Sequence, residues 1–478
     1  MRRMVMWTDT LIIGAGPTGL SAAYHYPGDS IIVEKESRVG GLCRSIYDRG
    51  FIFDHAGHIF FTSDSYVSDV LAPALLGENL HWQYREAWVY SKGTFTRYPF
   101  QAGTYGLPPE VIKECILGAI EAARKYDASR RPATFMEFIE CTWGSGIAKH
   151  FMVPYNRKLW TVPLDEMGWE WLNGRVPQPN LEEIIDGALR PQPKPMGPNA
   201  RFGYPLHGGF EALMRGWLKH LDSGRIWLNT AVVAIDLARG EATMSDGRLV
   251  HFEHLINTAP LPEFLKLLNR VPAEVRAAAA KLRHVSIRCV NLGIARPDLT
   301  DKHWIYYPEE SPLFHRLFIQ SNTSPYVVPA GCSSLTAEIS YSPTKPLPVE
   351  GEALIERVIE DCRAVGMLRP NDTIVVANQV DAPYAYVIPD LNKAEAVRCI
   401  QEWLRPQGVI SAGRFGEWEY LNTDQSFLAG RRAAEQIMPV ASWRPAVVAK
   451  PVVRATSREL GMLASGREPN KGKSKEAL

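Results

Sequence analysis

The pattern of apolar and polar residues near the start of the chain predicts a strand, a helix and a second strand. Thr10–Ile13 forms an apolar run, Leu20–His25 suits a helix, and Ile31–Val33 is a second apolar run that ends at Glu34. A glycine-rich loop, Gly14–Gly19, joins the first strand to the helix. A GxGxxG loop in this context, followed about 20 residues later by an acid, is the fingerprint of a dinucleotide-binding unit.

Each glycine of this loop meets a separate steric need. Gly14 permits a tight turn, Gly16 lets the backbone approach a pyrophosphate, and Gly19 lets the helix pack closely on the strand. Pro17 suits the first helical position, where no backbone N–H is required, and the helix N-terminus offers unpaired N–H groups to phosphates. Glu34 accepts hydrogen bonds from ribose hydroxyls in such a unit. The segment therefore predicts a dinucleotide site.

The apolar pattern changes character along the rest of the chain. Residues 81–100 carry alternating aromatic residues and predict strands, whereas residues 108–189 predict a series of helices. Residues 285–385 are again rich in strand patterns. Further helices are predicted over residues 211–221 and 426–435. The alternation predicts a chain that combines an α/β unit with a helical region and a strand-rich region.

Composition and charge exclude several classes of protein. The chain has 478 residues, of which 46% are hydrophobic and 22% charged, and a net charge of +1, as is typical of a globular protein with no nucleic-acid partner. No apolar run reaches the about 18 residues of a membrane-spanning helix, and we expect no signal peptide. The seven scattered cysteines lack metal-ligand spacing. They predict reduced thiols, no bound metal and a cytoplasmic location.

The residues after Glu34 distinguish flavin from nicotinamide cofactors. The glycine pair Gly40–Gly41 follows Glu34 after five intervening residues. This spacing resembles the second half of the FAD signature in the amine oxidase and protoporphyrinogen oxidase superfamily, where the pair passes close to the flavin's phosphates. A surface turn is the alternative interpretation. The expected cofactor-binding residues are Gly14, Gly16, Thr18, Gly19, Glu34, Lys35, Arg38, Gly41, Leu42, Ser45, Val232, Arg414, Thr423, Asp424 and Ser426.

Several segments between about residue 9 and residue 437 together resemble UDP-galactopyranose mutase, particularly its eukaryotic-type branch. They are Gly50–Asp54, Ala56–Ile59, Tyr98–Gln101, Phe151–Trp160, Trp171–Val176, Gly197–Asn199, Trp304–Glu309 and Gly413–Tyr420. The chain departs from the family at Ala56, at Pro195, at Phe202–Pro205 and in a shorter loop after Tyr420. These departures leave the flavin site intact and leave the identity of the sugar open.

The resemblance implies an α/β fold with a Rossmann-like FAD-binding domain, an inserted helical domain and a mostly antiparallel β-sheet domain. The FAD-binding domain is expected to be discontinuous. The expected divisions are 1–80, 205–265 and 408–445 for the FAD-binding domain, 105–204 for the helical substrate domain, 81–104 and 266–407 for the β-sheet substrate domain, and 446–478 for a C-terminal extension that is partly disordered.

Members of this family interconvert the pyranose and furanose forms of UDP-linked galactose, for cell-surface glycans, without net oxidation. Their reduced flavin N5 attacks the anomeric carbon and displaces the nucleotide diphosphate. The resemblance therefore implies an isomerase with reduced FAD as its active cofactor and a UDP- or dTDP-linked hexose as its substrate. NADPH is the direct reductant in the eukaryotic-type branch. The oligomeric state stays open.

The chemistry of a leaving diphosphate calls for arginine, whose fixed guanidinium fork binds two phosphate oxygens. The resemblance puts Arg175 and Arg316 in that role and places Gly57 and His58 beside the flavin, where the Gly57 carbonyl accepts the N5–H hydrogen bond. A surface arginine and a structural histidine are the alternatives. The expected substrate-binding residues are Arg85, Tyr98, Phe100, Gln101, Asn156, Trp160, Asn199, Tyr306, Tyr386 and Tyr420.

Two other functions share the same cofactor site. An oxidoreductase of the amine oxidase or protoporphyrinogen oxidase type would have the same fold, but it has no use for two arginines and a tyrosine cluster in a mostly apolar pocket. A non-catalytic flavoprotein that senses a nucleotide-sugar would tolerate loss of His58, Arg316 or Tyr420, all of which are present. The residues therefore favour the mutase over both alternatives.

Overall fold

The apolar strand before the glycine loop lies inside a seven-stranded sheet in the computed structural model, which describes residues 4–125, 131–172, 174–192, 195–197 and 199–437. The strands are β1 (Val5–Ile13), β2 (Ser30–Val33), β3 (Ser45–Asp48), β4 (Phe51–Asp54), β5 (Leu80–Tyr84), β6 (Ala87–Ser91), β7 (Thr94–Arg97), β8 (Arg201–Pro205), β9 (Ile226–Trp227), β10 (Val232–Asp236), β11 (Glu241–Met244), β12 (Leu249–Asn257), β13 (His284–Ile294), β14 (Trp304–Tyr306), β15 (Arg316–Phe318), β16 (Ser333–Tyr341), β17 (Ile374–Val387) and β18 (Val409–Ser411).

The α-helices occupy the segments between these strands and are joined to them by short 3₁₀ and π turns. They are α1 (Pro17–His25), α2 (Ala72–Leu76), α3 (Pro109–Lys125), α4 (Phe135–Ile147), α5 (Val153–Trp160), α6 (Leu181–Leu189), α7 (Glu211–Gly216), α8 (Leu261–Lys266), α9 (Ala273–Ala280), α10 (Glu352–Ala364), α11 (Lys393–Leu404), α12 (Gly413–Gly416) and α13 (Thr423–Ile437). No helix in the described ranges is long and apolar enough to cross a bilayer.

The first sheet has the Rossmann-like arrangement that the sequence predicts. Its strand order is β10-β11-β12-β1-β2-β9, and β18 also pairs with β12. Strand β1 pairs in parallel with β2 and β12, and β12 pairs in parallel with β18. Because parallel neighbours end at the same edge, the loops after β1, β2, β12 and β18 open toward one crevice. The sheet is assembled from distant parts of the chain.

The second sheet is mostly antiparallel, also as predicted. Its order is β17-β13-β16-β15-β14-β6-β7, and only the β14–β6 pair is parallel. Strand β15 lies between β14 and β16, so that Arg316 stands directly opposite Glu338. This register places two opposite charges side by side in the sheet, a favourable cross-strand pair.

Helices α3 to α6 form the predicted helical region around an aromatic core that includes Phe135, Trp143 and Trp160. Thr134 caps α4 as its side-chain oxygen accepts a hydrogen bond from the Glu137 amide at 3.2 Å. Helix α5 carries Asn156 and follows a π turn. The apolar faces of these helices bury against the second sheet, so the region forms one wall of a large cavity.

The structure differs from the sequence prediction in several elements. The helix predicted over 211–221 ends at Gly216 and continues as a 3₁₀ turn, and the helix predicted over 426–435 begins earlier, at Thr423. Strand β8 and helices α8, α9 and α11 were not predicted. Strand β8 contains glycine and proline, and its strand conformation comes from pairing with β5. The domain divisions stay a prediction, and the C-terminal extension lies outside the described residues.

Candidate active site

A cradle of glycines follows β1, at the point where α1 begins. Gly14 has a φ of 97°, a conformation that favours glycine, and α1 starts with Pro17 in its first turn. A Cβ at Gly19 would overlap the carbonyl oxygen of Gly14, so only glycine allows this close approach of helix and strand. A Cβ at Gly16 would instead meet only the Cα of Gly41, at 3.9 Å. The backbone of Gly16 therefore faces open space.

Glu34 lies at the end of β2 on the rim of this cradle. Its carboxylate accepts hydrogen bonds from the amides of Ala15, at 2.9 Å, and Glu36, at 3.0 Å. These two bonds use one oxygen each and fix the side chain. Because each carboxylate oxygen has two acceptor sites, both oxygens keep capacity for a hydroxyl of a bound ribose.

The opposite side of the cradle is formed by the start of α13. Asp424 is buried in its first turn, and its Oδ1 is an atom without a hydrogen-bond partner among the described residues. Burial raises the pKa of Asp424. Arg414 donates to the carbonyls of Leu421 and Ala385 and so holds the chain just before α13. An open glycine backbone, two helix N-termini and an unpaired acceptor fit the pyrophosphate and polar groups of a dinucleotide.

One cavity of about 1120 Å³ connects this cradle to the second sheet and the helical region. The predicted cofactor residues that line it are Gly14, Gly16, Thr18, Glu34, Lys35, Gly41, Leu42, Val232, Arg414, Thr423, Asp424 and Ser426. The predicted catalytic and substrate residues that line it are Gly57, His58, Arg85, Tyr98, Gln101, Asn156, Trp160, Arg175, Asn199, Tyr306, Arg316, Tyr386 and Tyr420. The structure therefore brings both predicted sets together in one space.

Four predicted site residues do not line the cavity. Gly19 acts through the helix–strand contact already described. Arg38 pairs with Glu211 at 2.9 Å and donates to the carbonyl of Ser45 at 3.1 Å, which places both residues in a polar network behind the cradle. Phe100 is fully buried and stacks on Phe151 with ring centroids 4.9 Å apart. Phe100 therefore belongs to the core of the helical region and presents no face on which a base could stack.

His58 is held in one orientation and kept neutral. Burial lowers its pKa to about 4. Its Nδ1 lies 3.0 Å from the carbonyl oxygen of Ala56, so the proton is assigned to Nδ1 and Nε2 is left as an acceptor. The ring stacks on Phe210 with centroids 5.1 Å apart. His58 is therefore a rigid, neutral acceptor at pH 7 and has no proton to give as an imidazolium.

Arg316 is fixed by a bidentate ion pair with Glu338. Its Nε lies 3.0 Å from Oε2, and its Nη2 lies 2.9 Å from Oε1 and 2.6 Å from Oε2. The nearby Glu338 carboxylate raises the pKa of Arg316 against the opposing effect of burial, so the guanidinium stays charged. No hydrogen bond from Nη1 to the described residues is found, and this nitrogen remains for a ligand.

Arg175 approaches from the helical region. Its Nη1 donates to the carbonyl of Trp171 at 2.8 Å, and its Nη2 donates to the carbonyl of Tyr420 at 2.7 Å and to Gln425 at 3.1 Å. Its Nε is buried without a partner in the described parts of the chain. Burial lowers the pKa of Arg175, but a guanidinium remains protonated at neutral pH. A buried, unpartnered cationic donor points to an acceptor on a ligand.

Several tyrosines line the same cavity as the two arginines. The rings of Tyr386 and Tyr420 are 5.4 Å apart, and those of Tyr98 and Tyr306 are 5.2 Å apart. Trp304 donates its indole N–H to the Tyr306 hydroxyl at 2.9 Å, which leaves the proton of that hydroxyl to be donated. Burial raises the pKa of Tyr98 and Tyr386, so both stay protonated donors. The cavity thus presents several neutral donors beside two cations.

The far end of the cavity contains groups of mixed polarity. Gln101 donates to the carbonyl of Pro177 at 2.7 Å, whereas its Oε1 has no partner among the described side chains and backbone. Arg85 contacts Asn199 and stacks over Tyr98, with 4.8 Å from its guanidinium carbon to the ring centroid. Trp160 donates to Asn156 at 3.2 Å, as expected from their spacing on α5. A free amide oxygen beside an aromatic ring suits a planar ligand such as a base.

Sequence reasoning missed residues that contact this set. Glu338 is buried behind Arg316. The cavity is also lined by His315 and Tyr155, and Gln425 accepts a hydrogen bond from Arg175. Glu338 lies in a strand of otherwise apolar and small residues, and an acid at that place gives no signal until β15 and β16 are paired. The i, i+4 spacing of helices could not reveal it, because its partner lies on another strand.

Comparison with known proteins agrees with this architecture. A family model for NAD(P)-binding Rossmann-like domains matches residues 12–73. An Exiguobacterium sp. protein assigned as a protoporphyrinogen oxidase is similar over 90% of this chain and 98% of its own, at 17% identity and a TM-score of 0.69. Cyclohexylamine oxidase from Brevibacterium oxydans is similar over 90% and 98%, at 16% identity and a TM-score of 0.64. These two likenesses show the fold alone.

A crystal structure of reduced UDP-galactopyranose mutase is more similar. It shares 32% sequence identity with this chain and has a TM-score of 0.85. The match covers 90% of this chain and 93% of the other. It therefore extends across both sheets and the helical region rather than the dinucleotide unit alone. Identity at this level over this length identifies the chain as a member of the UDP-galactopyranose mutase family.

Proposed function

We propose that the protein is a flavin-dependent nucleotide-sugar mutase that interconverts the pyranose and furanose forms of a nucleotide-linked hexose. UDP-galactose, or a closely related sugar, is the proposed substrate. The observation that carries the proposal is the presence of Arg175, Arg316 and several tyrosine hydroxyls in the same cavity as the dinucleotide cradle. An oxidase of small amines or porphyrinogens has no phosphate to bind, and two guanidinium groups facing its cavity would have no ligand.

The proposed cofactor is FAD. Gly14 to Thr18 and Gly41 would hold its pyrophosphate, and Glu34 would bind its ribose. The start of α13 would contact other polar groups of the cofactor. When bound in its reduced form, FAD supplies a nucleophilic nitrogen toward the anomeric carbon of the sugar. The loop that carries Gly57 and His58 would lie beside the ring system. It lines the same cavity as the cradle, and its Gly57 amide donates to Glu338, which pairs with Arg316.

The two arginines would bind the diphosphate more strongly as it leaves. A diphosphate that links sugar and nucleoside carries two negative charges, and its departure adds a third. Arg316 has a free Nη1 and Arg175 has an unpartnered Nε, and both residues line the cavity. Fixed cations of this kind stabilise developing charge without reorganising during the reaction. The same contacts would retain the diphosphate for its return to the rearranged sugar.

The neutral donors and acceptors would orient the substrate and take no net proton. Tyr306, Tyr386 and Tyr420 would donate hydroxyl protons to phosphate oxygens, and Gln101 with Tyr98 would bind the base. His58, with its pKa lowered to about 4, would accept a hydrogen bond through Nε2 rather than act as an acid. This assignment is consistent with a redox-neutral rearrangement, in which protons shift within the sugar.

Three further points belong to the proposal. NADPH is the proposed reductant of the bound flavin. The cytoplasm is the proposed location, supported by seven cysteines that are all free in the structure. The product would supply galactofuranose, or a related furanose, for cell-surface glycans.

The test compares oxidised and reduced protein. Purified holoprotein is incubated without oxygen with UDP-galactofuranose, with and without dithionite, and the nucleotide-sugars are separated by chromatography. We expect conversion to UDP-galactopyranose only in the reduced sample, and a parallel series with dTDP-linked hexoses defines the nucleotide. An absence of conversion across all the sugars would refute the mutase. Equal turnover by oxidised and reduced protein would refute the flavin-dependent mechanism.

A further inference from the structure

Glu338 occupies an unusual position for a carboxylate. It lies in the middle of β16, in the interior of the second sheet, and is 0% exposed. Its strand neighbours are small or apolar. A buried carboxylate persists only where several donors compensate for the lost hydration. The groups around Glu338 come from two separate parts of the chain, residues 315–316 and the loop that carries His58.

The first set of donors belongs to Arg316 on the neighbouring strand. Three of the contacts between this guanidinium and the carboxylate are 3.0 Å or shorter. Because both partners are planar and the bond is bidentate, the guanidinium cannot rotate about its long axis without breaking the pair. Nη1 is consequently held at the cavity wall. His315, 3.5 Å from Oε2, closes the remaining side of the carboxylate.

The second donor is the backbone of the loop that carries His58. The amide of Gly57 donates to Glu338 Oε1 at 2.8 Å. The loop packs closely against Glu338 and Phe318 at this point, because a Cβ added at Gly57 would lie 3.0 Å from Oε1 of Glu338 and 3.0 Å from Phe318. One oxygen of Glu338 therefore contacts both the phosphate-binding arginine and the loop beside the proposed flavin ring.

We propose that Glu338 is a positioning residue, which fixes the distance between the phosphate-binding nitrogen of Arg316 and the Gly57 loop. This inference rests on the proposed function of the cavity. Glu338 does not line the cavity and would not contact substrate or cofactor. Its carboxylate acts through Arg316 and the Gly57 loop, which line the cavity. It thereby holds the site of diphosphate departure and the site of attack in one rigid unit.

Substitution by glutamine tests this role because it keeps the shape of the side chain and removes its charge. The amide oxygen can still accept from Gly57, but the amide N–H₂ group then faces the donors of Arg316. We expect E338Q to retain FAD and to bind UDP about 10- to 100-fold more weakly, the range that corresponds to loss of a hydrogen bond to a charged group. Binding is measured by titration calorimetry on the holoprotein, and the visible flavin spectrum is recorded in parallel.

Asp361→Asn provides a matched control. Asp361 is also buried, accepts from a backbone amide, Leu313 at 2.7 Å, and pairs with an arginine, Arg357 at 2.9 Å. Neither it nor these partners line the cavity. We expect D361N to leave UDP affinity and the flavin spectrum unchanged. E338Q should change both, because a neutral amide oxygen accepts the Gly57 hydrogen bond more weakly than a carboxylate does and the loop is held less firmly.

A double-mutant cycle separates positioning from general destabilisation. In an Arg316→Gln background, Glu338→Gln should cost little further UDP affinity, because its effect passes through the arginine. Additive losses would overturn the inference. Glu338→Asp gives a second reading if E338Q does not fold: its shorter carboxylate cannot reach both partners, and UDP affinity should again fall.

The outcomes distinguish this inference from the function on which it rests. If E338Q and E338D bind UDP as tightly as the wild type does, the positioning role is overturned and the mutase proposal stays intact. Wild-type protein that binds neither UDP nor dTDP would overturn both. Weakened binding in E338Q, together with an altered flavin spectrum and an unchanged D361N control, would support the assignment.

Discussion

Replacement of Arg316 by methionine should expose the cost of the buried charge that it neutralises. The substitution keeps an extended apolar side chain and removes the partner of Glu338, which is 0% exposed. Breaking a buried ion pair from one side costs about 3–5 kcal/mol, because the remaining charge is left uncompensated. Burial alone would raise the pKa of Glu338, and the Arg316 guanidinium with its neighbours holds that pKa below the ordinary value of 4.5 instead, so the carboxylate is charged at neutral pH and depends on its partner.

The sign of the pH dependence follows from the same carboxylate. In the wild type, the folded pKa of Glu338 lies below its unfolded value, so its contribution to stability is full above about pH 4.5 and is lost as the pH falls toward about 2. In R316M, burial without the guanidinium raises that pKa above its ordinary value. The destabilisation relative to wild type should then be largest at neutral pH and should shrink as the pH is lowered toward 5.

Urea unfolding at pH 7.5 and pH 5 measures this difference through the midpoint of the transition. The double variant R316M/E338Q removes both charges and should unfold at a higher urea concentration than R316M at pH 7.5. It should also lose the extra pH dependence of the single variant. If R316M and R316M/E338Q unfolded at the same midpoint at both pH values, the account of Glu338 as a buried, compensated anion would be wrong.

Three further predictions concern the cradle and the second arginine. Gly16→Ala should fold normally but lose FAD, measured by flavin absorbance, because the added methyl meets protein only at 3.9 Å and fills the cradle. Gly19→Ala should instead lower the yield of folded protein and the thermal midpoint, because its Cβ overlaps the Gly14 carbonyl. If the Gly16→Ala and Gly19→Ala variants had the same yield and thermal midpoint, the steric argument would be refuted. Arg175→Ala should weaken UDP binding about 10- to 100-fold by calorimetry with flavin retained, and loss of flavin would contradict its placement.

The dinucleotide unit could be predicted from local sequence because its constraints are local. Gly14, Pro17 and Gly19 each satisfy a steric condition set by near neighbours, and the structure shows Gly14 at a positive φ and Pro17 at the start of α1. The cap of α4 by Thr134 is predictable for the same reason. Such features depend on residues within a few positions of one another, so one sequence carries the whole signal.

Features that depend on strand pairing could not be predicted in this way. Strand β8 has poor strand composition and exists through its pairing with β5, and Glu338 gains its role only when β15 lies beside β16. Phe100 shows the converse limit. Its motif placed it near a base, whereas the packing of Phe151 takes its ring into the core. The resemblance identified the segment but could not determine which way each side chain points.

Counting product molecules per reducing equivalent shows whether this cavity performs a rearrangement without net oxidation. Holoprotein is reduced without oxygen by one equivalent of dithionite per flavin, excess UDP-galactofuranose is added, and UDP-galactopyranose is measured over time. We expect many product molecules per flavin, with the flavin still reduced at the end. Product limited to one molecule or fewer per reducing equivalent, or flavin that is reoxidised as product forms, would contradict a rearrangement without net oxidation.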